Sequence, residues 1–344
     1  MASWFGSTPF VIAVDSGGTH TRAACFGLDG ALLSTSMGAG GSPYHDAAGA
    51  RNVAETVTAC VAAGDLAAPR ARALVAGMAA IGRVGSDQGS EDEAWAAGLF
   101  PLPGLDCPRT VVNDATTAHR GGLLGEPGVA VLAGTGSMIT AITADGRELE
   151  SGFFEHYAGA ARHLAGTAVQ LLLTEGAAAA DDAFVRAVLE HWGAADVEDL
   201  RARILGLVGD DRRLVRRRCG ALAPAVTAAA GTSPLADRAV RELAATTALG
   251  VRLLLPLVGG DPVPVVTIGA LGEHPAFTAR LAHALEGTRG PAARIVRPVL
   301  DPLRGAALMA YGTAGVEVTA ELVATLAASA EIGGARVGGA VRRR

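Results

Sequence analysis

Lysine is absent from this chain, because all 29 lysine-or-arginine positions in its 344 residues are arginine. Without lysine the protein cannot have the Gly-Lys-Ser/Thr of a P-loop, the strand lysine of a protein kinase or the amine of a Schiff-base enzyme. Any phosphate group bound here must therefore be neutralised by arginine, by a metal ion or by backbone N–H groups.

Cysteine is scarce as well, and the four present form no Cys-x-x-Cys pair and no cluster with histidine at metal-binding spacing. We predict small buried thiols in a reducing compartment. No long apolar run is free of polar breaks, and the N-terminus lacks the basic and apolar segments of a signal peptide. These absences predict a cytoplasmic protein that does not bind membranes.

A surplus of positive charge is also missing, since the formal net charge is -5. This argues against a general nucleic-acid binder, which needs a basic surface. The arginine clusters at 212–218 and 342–344 are interpreted as a solvated helix face and a frayed tail. The length, together with 50% apolar residues, predicts two globular domains with sizeable cores.

One pattern occurs twice at a constant offset, so that Gly18 corresponds to Gly134, and Asp29 to Asp145. Each copy is an apolar run that ends in a Gly-Thr corner, followed by an alternating segment and an Asp-Gly dipeptide. Such a pattern predicts strand, tight turn, strand, hairpin and strand. The corners have the composition of phosphate-binding turns.

Further elements follow each copy. We predict strands at 71–78 and 109–112, with a short helix from Ala115 to Leu124. Alanine-rich helix dominates from about 158 to 258, and the last predicted strand spans 263–268. Helices at about 275–286 and 302–314 complete the chain. This order predicts an α/β protein of two related halves, the second with helical insertions.

The corners carry the first chemical hypothesis. Glycine lets backbone N–H groups approach phosphate oxygens without a Cβ in the way, and neighbouring hydroxyls add neutral donors. Asp15, at the end of the strand before the first corner, is placed to hold hydrated Mg²⁺, although it could also simply cap the turn. The expected phosphate-binding residues are Gly17, Gly18, Thr19, His20, Gly134, Thr135, Gly136 and Ser137.

Asp114 is the candidate general base. It follows a predicted strand, where a carboxylate can accept the proton of a hydroxyl group that attacks a γ-phosphate. The alternative is that Asp114 only N-caps the helix that begins at Ala115.

Five stretches in order resemble the BadF/BadG/BcrA/BcrD ATPase family, which includes N-acetylglucosamine kinase and belongs to the actin, Hsp70 and sugar kinase superfamily. They are residues 14–21, 112–115, 132–137, 267–271 and 301–307. The resemblance implies two actin-like (ribonuclease H-like) domains that flank a nucleotide cleft. We expect the first at 1–118, the second at 119–330 and a flexible tail at 331–344.

The resemblance also implies roles for residues. Asp114 would be catalytic, ATP and Mg²⁺ would be required, and Gly269, Ala270 and Leu271 would contact adenosine. Asn113 and Asp114 would touch the acceptor, as would Ser42, which stands where related kinases have a sugar-binding asparagine.

The match fades at 151–163, where the acidic motif of N-acetylglucosamine kinases is missing. Glu155 and His156 become candidate contacts to a different polar substrate. His156 and His163 could equally lie on the surface of one helix. The zinc motif of ROK sugar kinases is missing too, as is the cysteine setting of iron-sulfur dehydratase activators.

We therefore predict a kinase that phosphorylates a hydroxyl of a small acceptor, either an N-acetylglucosamine- or glucosamine-like sugar or an aminocyclitol. The alternative is an ATP-hydrolysing or sugar-sensing nucleotide switch. A homodimer is expected, with no nucleic-acid partner.

Overall fold

The computed structural model describes residues 8–42, 47–82, 102–134, 136–152, 159–207, 212–287 and 290–330. Its strands are β1 (Phe10–Ser16), β2 (His20–Gly27), β3 (Leu32–Ala39), β4 (Ala71–Met78), β5 (Arg109–Asn113), β6 (Gly128–Ala133), β7 (Ser137–Ile142), β8 (Glu148–Glu150), β9 (Val263–Ile268) and β10 (Ala293–Val296). Its helices are α1 (Gly49–Ala63), α2 (Asp114–Leu123), α3 (Ala161–Glu175), α4 (Asp182–Trp192), α5 (Val197–Leu207), α6 (Arg212–Ala229), α7 (Pro234–Val258), α8 (Pro275–Leu285), α9 (Pro302–Thr313) and α10 (Ala320–Ala328). Within the described ranges, 3-10 turns lie at Ala68–Arg70 and Ala179–Asp181.

The chain forms two compact units. The first contains the residues up to Leu124 together with those from Val299 onward, and the second is Gly125–Pro298. This differs from the expected domains, which placed the chain after residue 118, including α9 and α10, in the second domain. The reason is that α9 and α10 bury their apolar faces in the core of the first unit.

The two sheets have the same topology. The first has the strand order β3-β2-β1-β4-β5 and the second, read in reverse, the order β8-β7-β6-β9-β10. In each sheet three consecutive strands are antiparallel and two further strands run parallel to the first of them. The predicted internal repeat is therefore confirmed. The expectation that β9 is the last strand is wrong, because the short edge strand β10 pairs with it.

β1 of the first unit is covered on both faces, which explains its continuous apolar sequence. Because side chains alternate along a strand, Ile12 and Val14 pack with α1 on one face. Val11 and Ala13 pack with α9 and α10 on the other. In the second unit β6 joins a single core with α3, α4, α6, α7 and α8.

The buried thiols agree in part with expectation. Cys25 and Cys60 are fully buried in the first unit with their sulfur atoms 3.6 Å apart, whereas Cys107 and Cys219 are half-buried. Among the described helices none is both long and apolar enough to span a bilayer.

α2 and α9 pack closely at two glycines, Gly121 on α2 and Gly305 on α9. A Cβ on Gly305 would overlap the carbonyl oxygen of Thr117, and one on Gly121 would lie 2.5 Å from the carbonyl oxygen of Asp301. These are backbone atoms, which cannot move aside as a side chain can. The close approach of the helices therefore depends on the absence of side chains here.

We expect Gly305→Ala to lower the free energy of unfolding of the first unit by about 1–3 kcal/mol through overpacking. Gly312→Ala, in the same helix but with open space around its Cβ position, should instead leave stability unchanged or raise it by up to about 1 kcal/mol. Thermal unfolding of the two variants checks the pair. Equal effects would contradict the role assigned to this close packing.

Candidate active site

The first corner is a tight turn between β1 and β2. The amide of Gly17 donates to the carbonyl oxygen of His20 at 2.9 Å, which closes the turn. Gly18, Thr19 and His20 are exposed at its tip. Directly behind, the buried hydroxyls of Ser16 and Thr21 lie 3.0 Å apart. The tip of the turn is therefore exposed to solvent, while the residues on either side of it are buried and hydrogen-bonded to each other.

A second loop supports this turn. Asn52 on α1 donates from Nδ2 to the carbonyl oxygen of Gly40 at 2.8 Å, and the amide of Gly41 donates to the carbonyl oxygen of Gly17 at 3.2 Å. A Cβ on Gly40 would overlap the carbonyl of Gly18. Ser42, an expected acceptor contact, is buried at the end of this loop.

The second corner lies between β6 and β7 and is built in a similar way. The amide of Gly134 donates to the carbonyl oxygen of Gly136 at 2.9 Å. The carbonyl oxygen of Gly134 accepts from the amide of Ala161, the first residue of α3, at 2.9 Å. The hydroxyl of Ser137 accepts from the amide of Gly159 at 3.1 Å. The corner is therefore joined to the start of α3.

Three of the predicted phosphate-binding glycines stand in open space. A Cβ built on Gly18, Gly134 or Gly136 meets no described atom within 4 Å, and none of the three has a left-handed φ. Packing and backbone conformation therefore do not require glycine at these positions. A ligand that approaches the backbone closely would require it, as the phosphate hypothesis states.

The predicted adenosine segment lies beside the second corner, because β6 and β9 are parallel and paired from Val129 to Leu132. After β9, Gly269 has a φ of 96°, and a Cβ there would lie 2.7 Å from the carbonyl oxygen of Ala133. The amide of Leu271 donates to that same oxygen at 3.2 Å. The side chain of Leu271 is buried in the core, while Ala270 is exposed.

Asp15, the residue before the last of β1, lies beside the first corner and forms an ion pair. Arg22, its partner in the register of β1 and β2, donates from Nη2 and Nε to Oδ2 of Asp15 at 2.6 and 3.1 Å. Burial alone would lower the pKa of Arg22, but the charge of Asp15, its hydrogen bonds and the charge of Asp301 together raise it. Arg22 is therefore the cation that balances this carboxylate.

Asn113 and Asp114 lie where β5 passes into α2. Oδ1 of Asn113 accepts from the amide of Ala115 at 2.9 Å, and its Nδ2 donates to the carbonyl oxygen of Ile81 at 2.8 Å. Asn113 thus caps the helix, so the alternative that Asp114 does so is wrong. The side-chain amide of Asn113 therefore joins the start of α2 to the backbone at Ile81.

Asp114 and Asp15 lie at the same edge of the first sheet. β4 lies between β1 and β5, all three are parallel, and Met78 pairs with both Ser16 and Asn113. Burial raises the pKa of Asp114, and the negative charge of Asp15 raises it further, to about 7. A carboxylate with this pKa is half-ionised near neutral pH, as a general base requires.

Mg²⁺ binding can be tested against the donor set. Among the described residues no three His, Cys, Asp or Glu side chains come together as a complete metal cage. Mg²⁺ that arrives with a nucleotide needs only one or two carboxylates, since phosphates and water supply the remaining oxygens. Asp15 fits that requirement, provided that Arg22 either releases Oδ2 of Asp15 or shares this oxygen with the metal ion.

Several predicted residues lie outside the described ranges, namely Thr135, Glu155 and His156, as does the tail at 331–344. His163 is described at the start of α3, where its Nδ1 accepts from the amide of Ala160 at 3.2 Å. Its ring therefore helps to begin the helix.

Sequence reasoning missed two charged residues of the site, Arg22 and Asp301. Nη1 of Arg22 lies 3.8 Å from Oδ2 of Asp301, the N-cap of α9. The signal for Arg22 was its position opposite Asp15 across a tight turn, where cross-strand pairs of opposite charge are favourable. Asp301 lies inside the stretch 301–307 that resembles the family, but its sequence context predicts no role for it.

Comparison with known proteins places these features in a family. The sequence profile of the BadF/BadG/BcrA/BcrD ATPase family matches residues 12–310. The chain belongs to this family. A search of curated proteins found no match. As a member of an ATPase family, the chain has the expected α/β fold of an actin-like protein with two domains.

Solved structures agree on the fold. A candidate N-acetylglucosamine kinase from Chromobacterium violaceum has 26% identity and a TM-score of 0.66, with 88% of this chain and 99% of that chain covered. Another from Porphyromonas gingivalis has 17% identity and a TM-score of 0.64, with 88% and 98% covered. A ROK family glucokinase from Streptomyces griseus, in complex with glucose and AMPPNP, has 20% identity and a TM-score of 0.53, with 88% and 99% covered.

Proposed function

We propose that this protein is a kinase that transfers the γ-phosphoryl group of ATP to a hydroxyl of a small sugar-like acceptor. The acceptor class is an N-acetylglucosamine- or glucosamine-like sugar or an aminocyclitol. The observation that carries the proposal is the partly buried carboxyl of Asp114, whose pKa is raised to about 7 beside Asp15, in a chain of this family.

The residues suit each part of the reaction. Asp114 accepts the proton of the acceptor hydroxyl as its oxygen bonds to the γ-phosphorus, while the bond from that phosphorus to the β,γ-bridging oxygen breaks and ADP leaves. The proton then passes from Asp114 to solvent. In place of the missing lysine, each corner offers amides and hydroxyls of the kind that bind phosphate, from Gly18 and Thr19 in the first unit and from Gly136 and Ser137 in the second.

Mg²⁺ is proposed to enter with ATP, held by Asp15, and when bound it neutralises charge on the phosphate oxygens. Removal of Mg²⁺ with a chelator should therefore abolish turnover. The fold itself should remain, because no cluster of metal ligands stabilises the described residues.

The acceptor class has two sources of support. The Chromobacterium violaceum protein at 26% identity is described as a candidate N-acetylglucosamine kinase. The altered segment at 151–163 and the serine at position 42 argue for an acceptor that is related to this sugar but not identical with it. An aminocyclitol offers the same combination of hydroxyl and nitrogen-bearing groups.

An acceptor panel tests the proposal. ADP release is measured with ATP, Mg²⁺ and one of N-acetylglucosamine, glucosamine, glucose or an aminocyclitol. We expect release well above the acceptor-free rate with at least one amino-bearing acceptor. An acceptor-independent rate throughout would favour an ATP-hydrolysing switch instead.

The pKa of Asp114 predicts the pH dependence of turnover. The base must be ionised, so kcat/KM for ATP should rise about tenfold per pH unit below about pH 7 and level off above it. Because bound Mg²⁺ would offset the charge of Asp15, the corresponding limb of kcat should lie at lower pH. Nucleotide affinity measured at each pH is the control. A flat profile between pH 5 and 8 would contradict the assigned base.

A further inference from the structure

Arg22 lies between two carboxylates. It contacts Oδ2 of Asp15 through two nitrogens, at 2.6 and 3.1 Å, and its third nitrogen, Nη1, is 3.8 Å from Oδ2 of Asp301. All three side chains are partly exposed, at 20–30%. The guanidinium is therefore within reach of either acid without leaving its strand.

Asp301 is the fixed member of this group. Its Oδ1 accepts from the amide of Arg304 at 2.8 Å as the cap of α9, and its Oδ2 accepts from Nη1 of Arg304 at 2.9 Å. Arg304 is itself buried and donates to the carbonyl oxygens of Leu326 and Ser329. Asp301 can thus receive a further donor without moving.

The charges of the three side chains explain why a second carboxylate beside Arg22 is useful. A metal ion on Asp15 competes with Arg22 for Oδ2 of that carboxylate. A partly buried guanidinium that loses its counter-ion is unfavourable, so displacement is easier if another carboxylate stands ready. Asp301 meets this need, because its Oδ2 already lies on the far side of the guanidinium.

We propose that Arg22 is a positioning residue that neutralises Asp15 in the nucleotide-free protein and shifts to Asp301 when Mg²⁺–nucleotide takes Asp15. The proposal rests on the function proposed above. It assigns to Arg22 and Asp301 a shared effect on the Mg²⁺ requirement.

Two charge-removing substitutions separate the roles. Arg22→Gln removes the competitor, so less Mg²⁺ should be needed. Asp301→Asn removes the receiving charge but keeps an N-cap oxygen, since asparagine caps as well as aspartate. Arg22 should then stay on Asp15, and more Mg²⁺ should be needed.

The experiment is a binding titration, independent of turnover. Binding of a non-hydrolysable ATP analogue is followed at rising Mg²⁺ concentration. We expect the Mg²⁺ midpoint to fall about threefold to tenfold in Arg22→Gln and to rise by a similar factor in Asp301→Asn. The double variant should match Arg22→Gln, because in this proposal Asp301 affects metal binding through Arg22. Arg22→Lys, which keeps the charge, should retain sensitivity to Asp301→Asn.

Additive effects in the double variant would mean that each charge acts on the metal separately, and would overturn the proposal. So would midpoints that move in the same direction in both single variants. If the unmodified protein binds no analogue at any Mg²⁺ concentration, the proposed kinase function fails together with this inference. Normal analogue binding with additive shifts overturns the inference alone.

Discussion

Asp114→Asn should lower kcat by about 10²–10⁴-fold, the usual contribution of a general base. The amide has nearly the same shape but cannot take the proton of the acceptor hydroxyl. Affinity for ATP should change little, because Asp114 is not among the groups proposed to hold the phosphates. Steady-state kinetics with the best acceptor of the panel, together with direct binding of an ATP analogue, measure both quantities.

The same substitution should stabilise the protein at high pH. A folded-state pKa of about 7, against an ordinary value of 3.8, means that the folded protein favours the protonated form. The resulting stability is present below about pH 4 and is lost as pH rises through about 7. At pH 8 the neutral amide should raise the free energy of unfolding by about 2–4 kcal/mol, and at pH 4 by little.

Asp29→Asn is the matched control. It removes one carboxylate from the same unit, in the exposed turn between β2 and β3, and asparagine can still accept the hydrogen bond that Oδ1 of Asp29 receives from the amide of Ala31. Turnover should be unchanged. If Asp114→Asn retained full turnover, Asp114 would not be the base. If it lost turnover without gaining stability at pH 8, the raised pKa would be wrong.

Gly18→Val should weaken ATP binding by about tenfold to a hundredfold, the cost of one or two charge-assisted hydrogen bonds. The Cβ position of Gly18 is open, so the new side chain fits the protein but fills the space that the phosphates are proposed to use. Thermal unfolding should therefore barely change. Titration with an ATP analogue checks the affinity.

Two other glycines make this prediction specific. Gly231→Val also adds a side chain to an exposed turn with open space, in the linker before α7, and should leave ATP binding intact. Gly40→Ala should destabilise the first unit, because its Cβ would overlap the carbonyl of Gly18. Unchanged ATP affinity in Gly18→Val would remove the main support for a phosphate-binding corner.

Much of the fold could be predicted from the sequence because its signals are local. β4 and β9 were predicted with their observed bounds, since each is a β-branched or apolar run between turn residues. The strand β10 and the helix α10 were missed because both are short, and β10 is a half-buried edge strand. Short elements of this kind are stabilised by neighbours that are distant in sequence.

It was harder to predict which helix packs against which sheet than to predict the helices and strands themselves. The apolar face of α9, with Leu303 and Ala307, indicates that the helix is buried but not against which sheet, and the expected domain boundary failed for that reason. Whether Asn113 or Asp114 caps α2 depends on which of the two residues precedes the first helical residue, and composition cannot locate a helix start to within one residue. The pairing of Arg22 with Asp15 depends on strand register, which follows from the length of the turn.

Transfer of phosphate to a sugar-like hydroxyl is tested most directly by ³¹P NMR of the products. The protein is incubated with ATP, Mg²⁺ and the acceptor that gives the highest ADP release, with Asp114→Asn in parallel. We predict a phosphomonoester signal coupled to a proton of the acceptor, formed by the unmodified protein and almost absent with the variant. Orthophosphate as the sole product of the unmodified protein, with every acceptor of the panel, would contradict the claim.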